Sequence, residues 1–452
     1  MDNQGALILA RLDRIPIWPF GKMLIIVLGV GFFFAFFDTI TIGLALPILA
    51  QQFHVPMSVV LLTITMGLIG YIVGSFIDAR ISDLFGRRLA LFISIALFSL
   101  GSFLSALSPS ISSLIVCRFI IGLGLGSEIA NVTTYIAELC PAASRGKISA
   151  YTMATGFLGF AVVPFVGIFL VPVLSYGWRI LFLLGSIGGA ITFVLRRHMP
   201  PSVRWLVNEG RLEEANNLMN GIEARVEKKL GYTLAAVELG KVDLSVLRSS
   251  KGIKFLFKPP YLGQLIFFAC IWFIYYIGNY AWLTMSTDLF HQEGFTVFKS
   301  IWFTCFGSLG FIAGSFFCIY VSDRIERKWT LTGFALIWTA VLLLIAFFHS
   351  DLIIMLSEFM GAMTVSIFVP LMYTYTGESF PTSFRSTGVA LTDGFGHLGG
   401  AFCGQIIFFV SAFFKPMHFQ FQAAFCTMAL TGFMTAILLM LGKRMTKKQL
   451  AQ

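Results

Sequence analysis

Charged side chains are scarce in this sequence of 452 residues. Asp, Glu, Lys and Arg make up only 12% of it, whereas a soluble domain carries about 25%. No stretch resembles the glycine-rich loops that bind nucleotide phosphates, and the seven cysteines show neither disulfide nor metal-ligand spacing. We therefore expect no metal, no other cofactor and no direct use of ATP, and we do not expect an enzyme.

Apolar residues take the place of the missing charges. They make up 57% of the chain, which contains 49 Phe and 43 Gly. They recur in runs that are long enough to cross a bilayer core of about 30 Å. This pattern predicts an all-α membrane protein that crosses the lipid bilayer many times.

The net charge of +10 is unevenly distributed along the chain. Nearly all Lys and Arg residues fall in segments that the predicted spans place on one side of the membrane, whereas Arg179, Lys299 and Lys415 fall on the other. Such a bias marks the cytoplasmic side. We therefore expect both termini in the cytoplasm, a location in the cell (inner) membrane, and no binding of nucleic acid.

The chain contains an internal repeat. The segment GSFIDARISDLFGRR, from residue 74, recurs as GSFFCIYVSDRIERK from residue 314. A second match keeps the same offset, with Tyr135, Glu138, Pro141 and Arg145 recurring as Tyr375, Glu378, Pro381 and Arg385. Two matches at one offset indicate a duplicated module, and duplicated halves of about six spans each are typical of secondary transporters.

Six spans are predicted in each half. Those of the first half cover residues 22–49, 58–81, 89–107, 111–139, 148–174 and 179–195. Those of the second half cover residues 261–289, 301–321, 331–348, 352–375, 387–414 and 421–441. The predicted domains are a six-helix bundle at 1–195, a cytoplasmic linker at 196–258 and a second six-helix bundle at 259–452.

The linker departs from the apolar pattern. Its apolar residues recur at helical spacing on an otherwise polar segment, at Leu212, Ala215, Leu218, Met219, Ile222, Val226 and Leu230. This spacing predicts an amphipathic helix, which either docks on the bundles or lies on lipid headgroups. We favour docking. Residues 1–21 are predicted to be a short cytoplasmic leader, because the apolar run that follows is too long for a signal peptide.

Acidic and basic residues meet at the turn after the second predicted span. Small residues there would let a neighbouring helix approach closely, and Asp83 can accept charge-assisted hydrogen bonds from Arg87 or Arg88. The basic residues alone would fit a topology signal, but acidic residues contribute little to topology, and the Asp recurs. We therefore predict a conformational latch in each half. Its residues are Asp83, Arg87, Arg88, Glu138, Arg145, Asp323, Arg324, Arg327, Glu378 and Arg385.

This turn resembles the loop between helices two and three of the major facilitator superfamily, whose pattern is G-x-L-A-D-R-x-G-R-R. The sequence departs from that pattern at Ala79 and Leu84, and the second copy restores the Arg as Arg324 but carries Glu326 in place of Gly. Further segments resemble those of sugar porters and metabolite:proton symporters. They are CRFIIGLGLGSEIANVTTYIAELCPAASRG from residue 117, YGWRILFL from 176, HMPPSVRWLVNEGRLEEA from 198 and YTYTGESFPTSFRSTGVA from 373. The resemblance implies twelve spans and transport by alternating access.

One segment of hexose porters is largely missing. Their Q-Q-x-x-G-x-N segment, early in the seventh helix, corresponds here to FFACIWFIYYIGNYAWLTMS, which keeps only Gly278 and Asn279. We therefore expect a relative of the broader metabolite:proton symporters rather than a hexose porter.

An ionised group inside a span costs about 2.5–3.5 kcal/mol by insertion scales, and six ionisable side chains within predicted spans are singled out: Asp38, Arg118, Glu128, Glu358, Asp393 and His397. Such residues are functional candidates, and the alternative for each is a static ion pair or a charge near a helix end. Asp38 and Arg118 lie at similar predicted depth, where sugar porters and their relatives carry an acid and a base. The predicted proton-coupling residues are Asp38, Arg118, Glu128, Asp393 and His397.

Polar residues on the fourth and seventh spans are predicted to contact substrate. Asn131 and Tyr135 share a face of the fourth span, which is either a cavity lining or an interhelical hydrogen-bond seam. Tyr276 and Asn279 share a face of the seventh span, where a tyrosine hydroxyl at mid-membrane needs a partner. The predicted substrate-binding residues are Asn131, Tyr135, Tyr276, Asn279 and Glu358.

These features predict a monomeric secondary transporter that moves a small polar organic solute by proton symport. One alternative is a proton-coupled exporter of drugs, siderophores or polyamines. The fifth span lacks the antiporter stretch G-x-x-x-G-P-x-x-G-G and has Gly159, Pro164 and Gly167 in another spacing. The other alternative is a membrane sensor that binds solute without moving it, and the charges within the spans argue against that.

Overall fold

The computed structural model describes residues 3–140, 142–237, 256–321, 326–380 and 385–443. Within these ranges the protein is built from α-helices and short 3-10 turns, with no β-strand. Two predicted latch residues, Asp323 and Arg324, lie outside the described residues, and so does the side chain of Arg145.

The helices are numbered here in chain order. Those before the linker are α1 (Asn3–Asp13), α2 (Lys22–Gln52), α3 (Met57–Val60), α4 (Leu62–Phe85), α5 (Arg87–Ala106), α6 (Ile111–Leu139), α7 (Ala142–Leu170) and α8 (Gly177–Leu195). Those of the linker are α9 (Val203–Asn208) and α10 (Leu212–Leu230). Those of the second half are α11 (Tyr261–Gln292), α12 (Val297–Val321), α13 (Arg327–Phe347), α14 (Asp351–Glu378), α15 (Arg385–Phe414) and α16 (Gln420–Leu441).

Twelve spans long and apolar enough to cross a membrane occur within the described ranges, so the predicted number is confirmed. Several helices run past the predicted ends of their spans. Helix α7 begins at Ala142 rather than at residue 148, and α12 begins at Val297 rather than at 301. Hydropathy detects the part of a helix that crosses lipid, whereas the backbone hydrogen bonds continue into the polar segments on either side.

The internal repeat is preserved in the helix packing. A Cβ on Gly70 would collide with the carbonyl oxygen of Phe119, so α4 and α6 touch through their backbones. In the second half, Gly310 and the carbonyl oxygen of Phe359 are in the same relation between α12 and α14. Both residues of the second pair are 240 positions after their counterparts. The close approach of these helices therefore depends on the missing side chain in both halves.

The linker helix docks on the protein. Met219, Ile222 and Val226 of α10 are fully buried, in one apolar cluster with Ile8 and Leu12 of α1. Helix α10 therefore packs on α1 and α9, and the predicted leader contains a packed helix. We call the end of the molecule that carries α1, α9 and α10 the linker face, and the other end the opposite face.

The two halves touch each other towards the opposite face. Thr65 Oγ1 donates a hydrogen bond to Gln405 Oε1 at 3.0 Å, which joins α4 to α15. Gly43 of α2 packs so tightly on the backbone of Thr284 in α11 that a Cβ would not fit. These four residues lie nearer the opposite face than the linker face along their helices. A cavity lies between the halves on the linker side of these contacts.

Candidate functional site: a central cavity between the halves

The central cavity has a volume of about 100 Å³ and is lined by both halves. Its polar side chains are Thr39, Tyr71, Arg118, Tyr276, Asn279, Tyr280, Thr284, Tyr373 and His397. Phe36, Phe157 and Phe160 add aromatic rings without polar groups. A largely apolar lining with a few placed polar groups is typical of small-molecule sites.

Asp393 binds two tyrosine hydroxyls beside the cavity. Tyr276 donates to its Oδ1 at 2.8 Å, and Tyr373 donates to the same oxygen at 2.7 Å. The tyrosines belong to α11 and α14 and Asp393 belongs to α15, so this carboxylate joins three helices of the second half. The partner that a mid-membrane hydroxyl needs is therefore supplied by Asp393.

His397 lies where the two halves meet. Its Nδ1 is 2.8 Å from the carbonyl oxygen of Asp393, and its Nε2 is 3.0 Å from the hydroxyl of Tyr280. Its ring stacks on that of Tyr71, with centroids 4.0 Å apart. Because a carbonyl only accepts, Nδ1 carries a hydrogen, and Nε2 of the neutral ring accepts from Tyr280. A second proton would therefore go to Nε2 and reverse the hydrogen bond to Tyr280.

Asp38 and Arg118, which the sequence analysis placed at similar depth, form a buried ion pair in this structure. Arg118 Nη1 is 2.5 Å from Asp38 Oδ2, and both side chains are buried. Arg118 also lines the cavity, and its Nε has no hydrogen-bond partner among the described residues. The guanidinium of Arg118 thus neutralises the charge of Asp38, and its Nε–H remains available as a hydrogen-bond donor.

Glu128 is bound by a residue that the sequence analysis did not single out. Arg196 contacts both of its carboxylate oxygens, with Nη1 2.9 Å from Oε2, and Ser94 donates to the same Oε2 at 2.8 Å. Arg196 follows α8 directly and fell in the predicted linker, where a basic residue indicates topology. Glu128 is not among the residues that line the central cavity. Glu128 is therefore part of an ion pair in this structure, the arrangement that the sequence analysis gave as the alternative, and its role in proton coupling stays a prediction.

Tyr135 binds backbone outside the cavity. Its hydroxyl donates to the carbonyl oxygen of Pro200 at 2.5 Å. Its repeat counterpart Tyr375 donates to the carbonyl oxygen of Lys443 at 2.7 Å. Both tyrosines therefore fasten the chain just after the last spanning helix of their half. The prediction of substrate contact by Tyr135 finds no support in this geometry.

Asn131 also lies outside the cavity lining. It donates its side-chain amide to the buried carboxylate of Asp78, which joins α6 to α4. Asp78 lies within the repeated segment, but the second copy has Cys318 at that place. The sequence analysis looked for residues that recur in both copies of the repeat, and Asp78 was missed because it does not recur. The polar stripe on the fourth span is thus an interhelical seam, the other alternative that the sequence left open.

Asn279 presents an unused donor to the central cavity. Its side chain is 3% exposed and lines the cavity, and its Nδ2 has no hydrogen-bond partner among the described residues. A buried amide donor without a partner costs about 1–3 kcal/mol, which an acceptor on a ligand would recover. The predicted substrate contacts that line the cavity are Tyr276 and Asn279.

Glu358 lines a neighbouring cavity of about 20 Å³. Its Oε1 accepts a hydrogen bond from Trp282 Nε1 at 2.8 Å. Leu283 lines both cavities and so lies at the boundary between them. The predicted contact between Glu358 and substrate is therefore not made in the central cavity of this structure.

The predicted latch contains equivalent ion pairs in the two halves. Arg87 Nε is 2.9 Å from Glu138 Oε1, and Arg327 Nη2 is 3.0 Å from Glu378 Oε1. Each pair joins two helices of one half near the linker face, so these bonds act on packing within a half. Asp83 lies 2.6 Å from Arg87 Nη1, but its side chain is 68% exposed, and exposed ion pairs contribute little.

The other described latch residues make different contacts. Arg88 donates to the carbonyl oxygen of Arg197 at 2.7 Å, which ties α5 to the segment after α8. The side chain of Arg385 packs beside Gly377 at the end of α14. Neither of these contacts is an ion pair.

Twelve spanning helices in two repeated halves around a central cavity define the class of secondary transporters. The sequence profile of the Major Facilitator Superfamily matches residues 28–305 and 294–451, and the chain belongs to this family. It is therefore a multi-pass membrane transporter and not an enzyme.

Similar proteins are named for several solutes. YyaJ of Bacillus subtilis, named for metabolite transport, is 29% identical over 89% of this chain and 88% of its own. The niacin transporter NiaP of Acinetobacter baylyi is 25% identical over 87% of this chain and 88% of its own. The arabinose-proton symporter of Bacillus subtilis is 27% identical over 80% of each chain.

Solved structures share the fold. A partially occluded, inward-open form of the xylose transporter XylE from E. coli has a TM-score of 0.77 at 19% identity, covering 95% of this chain and 99% of that one. A D-xylose-proton symporter has a TM-score of 0.75 at 19% identity, covering 94% of this chain and 98% of that one. These values establish the architecture of the two halves.

Proposed function

We propose that the protein is a monomeric proton symporter for a small, flat organic acid, such as an aromatic carboxylate. The observation that carries this proposal is the pairing of aromatic walls with unused hydrogen-bond donors in the central cavity. The relatives named for niacin and for proton symport support the substrate class and the coupling ion, respectively.

The walls of the cavity suit a planar ring. Phe36 and Phe160 stack on each other with centroids 4.5 Å apart, and Tyr71 brings a third aromatic face. Aromatic rings pack favourably on other rings in offset or edge geometry. A flat ring would therefore gain contact area on several sides of this cavity.

The unused donors suit a carboxylate. Asn279 Nδ2 and Arg118 Nε lack partners among the described residues, whereas the hydroxyls of Tyr276 and Tyr373 are engaged by Asp393. Hydrogen bonds to an ionised acceptor are stronger than those to a neutral one. The cavity therefore offers more to a ligand that accepts hydrogen bonds than to one that donates them.

Proton coupling follows from competition for one guanidinium. In this structure Arg118 neutralises Asp38. A substrate carboxylate that engages Arg118 would weaken that pair, and a buried carboxylate without its partner binds a proton more tightly. Anion binding at Arg118 and proton binding at Asp38 would thus favour each other. That reciprocity is what a symporter requires.

The direction of access follows from the contacts between the halves. Since the halves pack together towards the opposite face, we propose that this conformation exchanges solute through the linker face. We further propose that the linker face is cytoplasmic and that the membrane is the cell (inner) membrane. Single cysteines at Ser249 and Gln449 should then react with an impermeant reagent only from inside. Labelling of either one from outside would overturn this orientation.

Uptake into proteoliposomes tests the proposed function. Nicotinate, benzoate and L-arabinose would be supplied outside, with an alkaline interior and with equal pH as the reference. Because a neutral weak acid also diffuses through lipid, protein-free vesicles give the background that is subtracted. We expect gradient-driven accumulation of an aromatic acid above that background, and faster counterflow of the same acid at equal pH.

The outcomes separate substrate class from coupling. Accumulation of arabinose without transport of either acid would overturn the substrate class. Counterflow of an acid without gradient-driven accumulation would overturn the symport. Absence of all transport of the three solutes would overturn the proposal as a whole.

A further inference from the structure

The carboxylate of Glu358, which lines the small second cavity, has no role in the proposed transport mechanism. This cavity has a volume of about 20 Å³ and lies among α2, α11, α12 and α14. Such a space is large enough for one water molecule or one small ion. Glu358 is 2% exposed and belongs to a membrane-spanning helix.

The charge of Glu358 is not balanced by a neighbouring side chain of the cavity. Among the described residues that line this cavity, from α2, α11, α12 and α14, Glu358 is the only charged or titratable one. Its partner Trp282 is a neutral donor. Asp38 and Glu128, by contrast, each bind a guanidinium. Because an ionised carboxylate is costly to bury without a counter-charge, the positive charge must come from a guest.

The hydroxyls around the cavity present acceptor oxygens. Ser286 donates its hydrogen to the carbonyl oxygen of Trp282 at 2.7 Å, and Thr304 is within 3.3 Å of the carbonyl oxygen of Ser300. Thr287 and Thr304 share a 3.0 Å hydrogen bond, which uses one more hydrogen. With these hydrogens engaged, the groups offer lone pairs to a guest. Oxygen lone pairs together with a carboxylate are the ligands that small hard cations prefer.

We propose that this cavity binds one small monovalent cation against Glu358. The cation is Na⁺ held by the carboxylate and the hydroxyl oxygens, or a proton held by the carboxyl group. Both neutralise the same buried charge, and the experiment below distinguishes them. The site is separate from the ion pair of Asp38 and Arg118 in the central cavity.

Trp282 reports the state of this site, because its indole N–H donates directly to Glu358. The fluorescence of the purified protein would be titrated with Na⁺ at constant pH and ionic strength, and with pH in the absence of Na⁺. We expect a saturable change in one titration or both. The change should be lost in Glu358→Gln, which keeps the shape but cannot carry the charge, and in Trp282→Phe, which removes the reporter.

Two further variants serve as controls. Asp288 of α11 is a buried carboxylate outside this cavity, and it accepts a hydrogen bond from Gln292 at 2.6 Å. The variant Asp288→Asn should therefore keep the full response. Thr304→Val removes one hydroxyl ligand, so it should weaken a Na⁺ response by at least about ten-fold. It should leave a pure proton response unchanged, because protonation of Glu358 needs no hydroxyl ligand.

The results are decisive without substrate or gradient, so they do not depend on the proposed symport. A Na⁺ response that Thr304→Val weakens identifies Na⁺, and a pH response without a Na⁺ response identifies the proton. A wild-type protein that responds to neither overturns the proposal, even if Glu358→Gln does not fold. A response that persists in folded Glu358→Gln overturns it as well.

Discussion

The hydroxyl of Tyr280 lies 3.0 Å from Nε2 of His397, and this hydrogen bond joins α11 to α15 beside the central cavity. Its direction depends on protonation, because the neutral ring accepts from the hydroxyl and the protonated ring donates to it. The same ring stacks on Tyr71 of the first half. A change of charge on His397 would therefore act where the two halves meet.

We predict that His397→Arg flattens the pH dependence of uptake, because an imidazole can gain and lose a proton whereas a guanidinium keeps its charge. The variant replaces a titratable charge with a fixed one. Initial uptake rates at a constant pH difference measure the effect. The matched control is His349→Arg, because His349 is 44% exposed by side chain and pairs with Glu293 away from the cavity. If His397→Arg keeps the wild-type profile, His397 is a packing residue.

We predict that Asp38→Asn abolishes gradient-driven accumulation above the background of protein-free vesicles, because an asparagine beside Arg118 cannot take up and release a proton. Substrate exchange at equal pH should remain measurable, since the guanidinium stays available to substrate. Accumulation ratio and counterflow would be measured on the same vesicles. If Asp38→Asn still accumulates substrate, coupling belongs to another carboxylate, and Glu128 and Asp393 are tested next.

The unused donor of Asn279 gives a prediction on affinity. Asn279→Leu should raise the half-saturating substrate concentration about ten-fold or more, since a hydrogen bond to a charged group contributes about 1.5–3 kcal/mol. Thr284→Val is the matched control, because Thr284 lines the same cavity but donates to the carbonyl oxygen of Tyr280 at 2.6 Å. It should change affinity by less than about three-fold. Equal effects of the two variants would argue against a specific contact at Asn279.

The repeat explains how far the sequence predicted this molecule. Long apolar runs and two matched segments were enough for twelve spans in two halves, since both signals depend on local composition and spacing. The similar depth of Asp38 and Arg118 was also predictable, because both are charges within apolar helices, and in the structure the two side chains form an ion pair. Of the predicted substrate contacts, Tyr276 and Asn279 line the cavity, and they share one face of one helix.

Contacts between distant residues were not predictable in the same way. Arg196 follows α8 among other basic residues, so its place in the sequence gives no indication that it is fully buried against Glu128. The helical period places Tyr135 and Asn131 on one side of a helix, but it does not say which neighbour covers that side. In the structure that neighbour is protein rather than substrate, with Pro200 and Asp78 as the partners.

The matched ion pairs of the two halves give a prediction on turnover. Glu138→Gln and Glu378→Gln each remove a partly buried partner of an arginine, and an ion pair of about 1 kcal/mol corresponds to about a five-fold change in an equilibrium or rate. We expect the maximal uptake rate to change by about that factor, with affinity within about two-fold. Asp83→Asn should have a smaller effect, because that carboxylate is exposed. Wild-type rates in both Glu variants would exclude a latch.

The docked leader contains a network around one carboxylate. Arg11 binds Glu223 through Nη2 to Oε2 at 2.5 Å and through Nε to Oε1 at 3.0 Å, and Arg14 Nη2 is 2.5 Å from the same Oε1. Burial acts to raise the pKa of Glu223, but the hydrogen bonds and charges of the two arginines outweigh it and hold the pKa below its ordinary value. The ion pairs therefore stabilise the docking of α1 on α10.

We predict that Glu223→Gln loosens α1 at neutral pH and not at low pH. A carboxylate whose pKa is lower in the docked state contributes stability above its ordinary value of about 4.5. That contribution disappears as the pH falls through the lower, docked-state pKa. Hydrogen exchange of residues 3–13, corrected for its intrinsic pH dependence, measures the docking locally. Helix α1 of the wild type should be protected about five-fold more than that of the variant at pH 7, for an ion pair of about 1 kcal/mol. This ratio of protection should approach one in acid.

The control is Glu214→Gln, because Glu214 is on the same helix as Glu223 but forms an exposed pair with Arg211. This control should leave the protection of α1 unchanged. If the ratio between wild type and Glu223→Gln does not depend on pH, Glu223 acts through packing rather than through its charge.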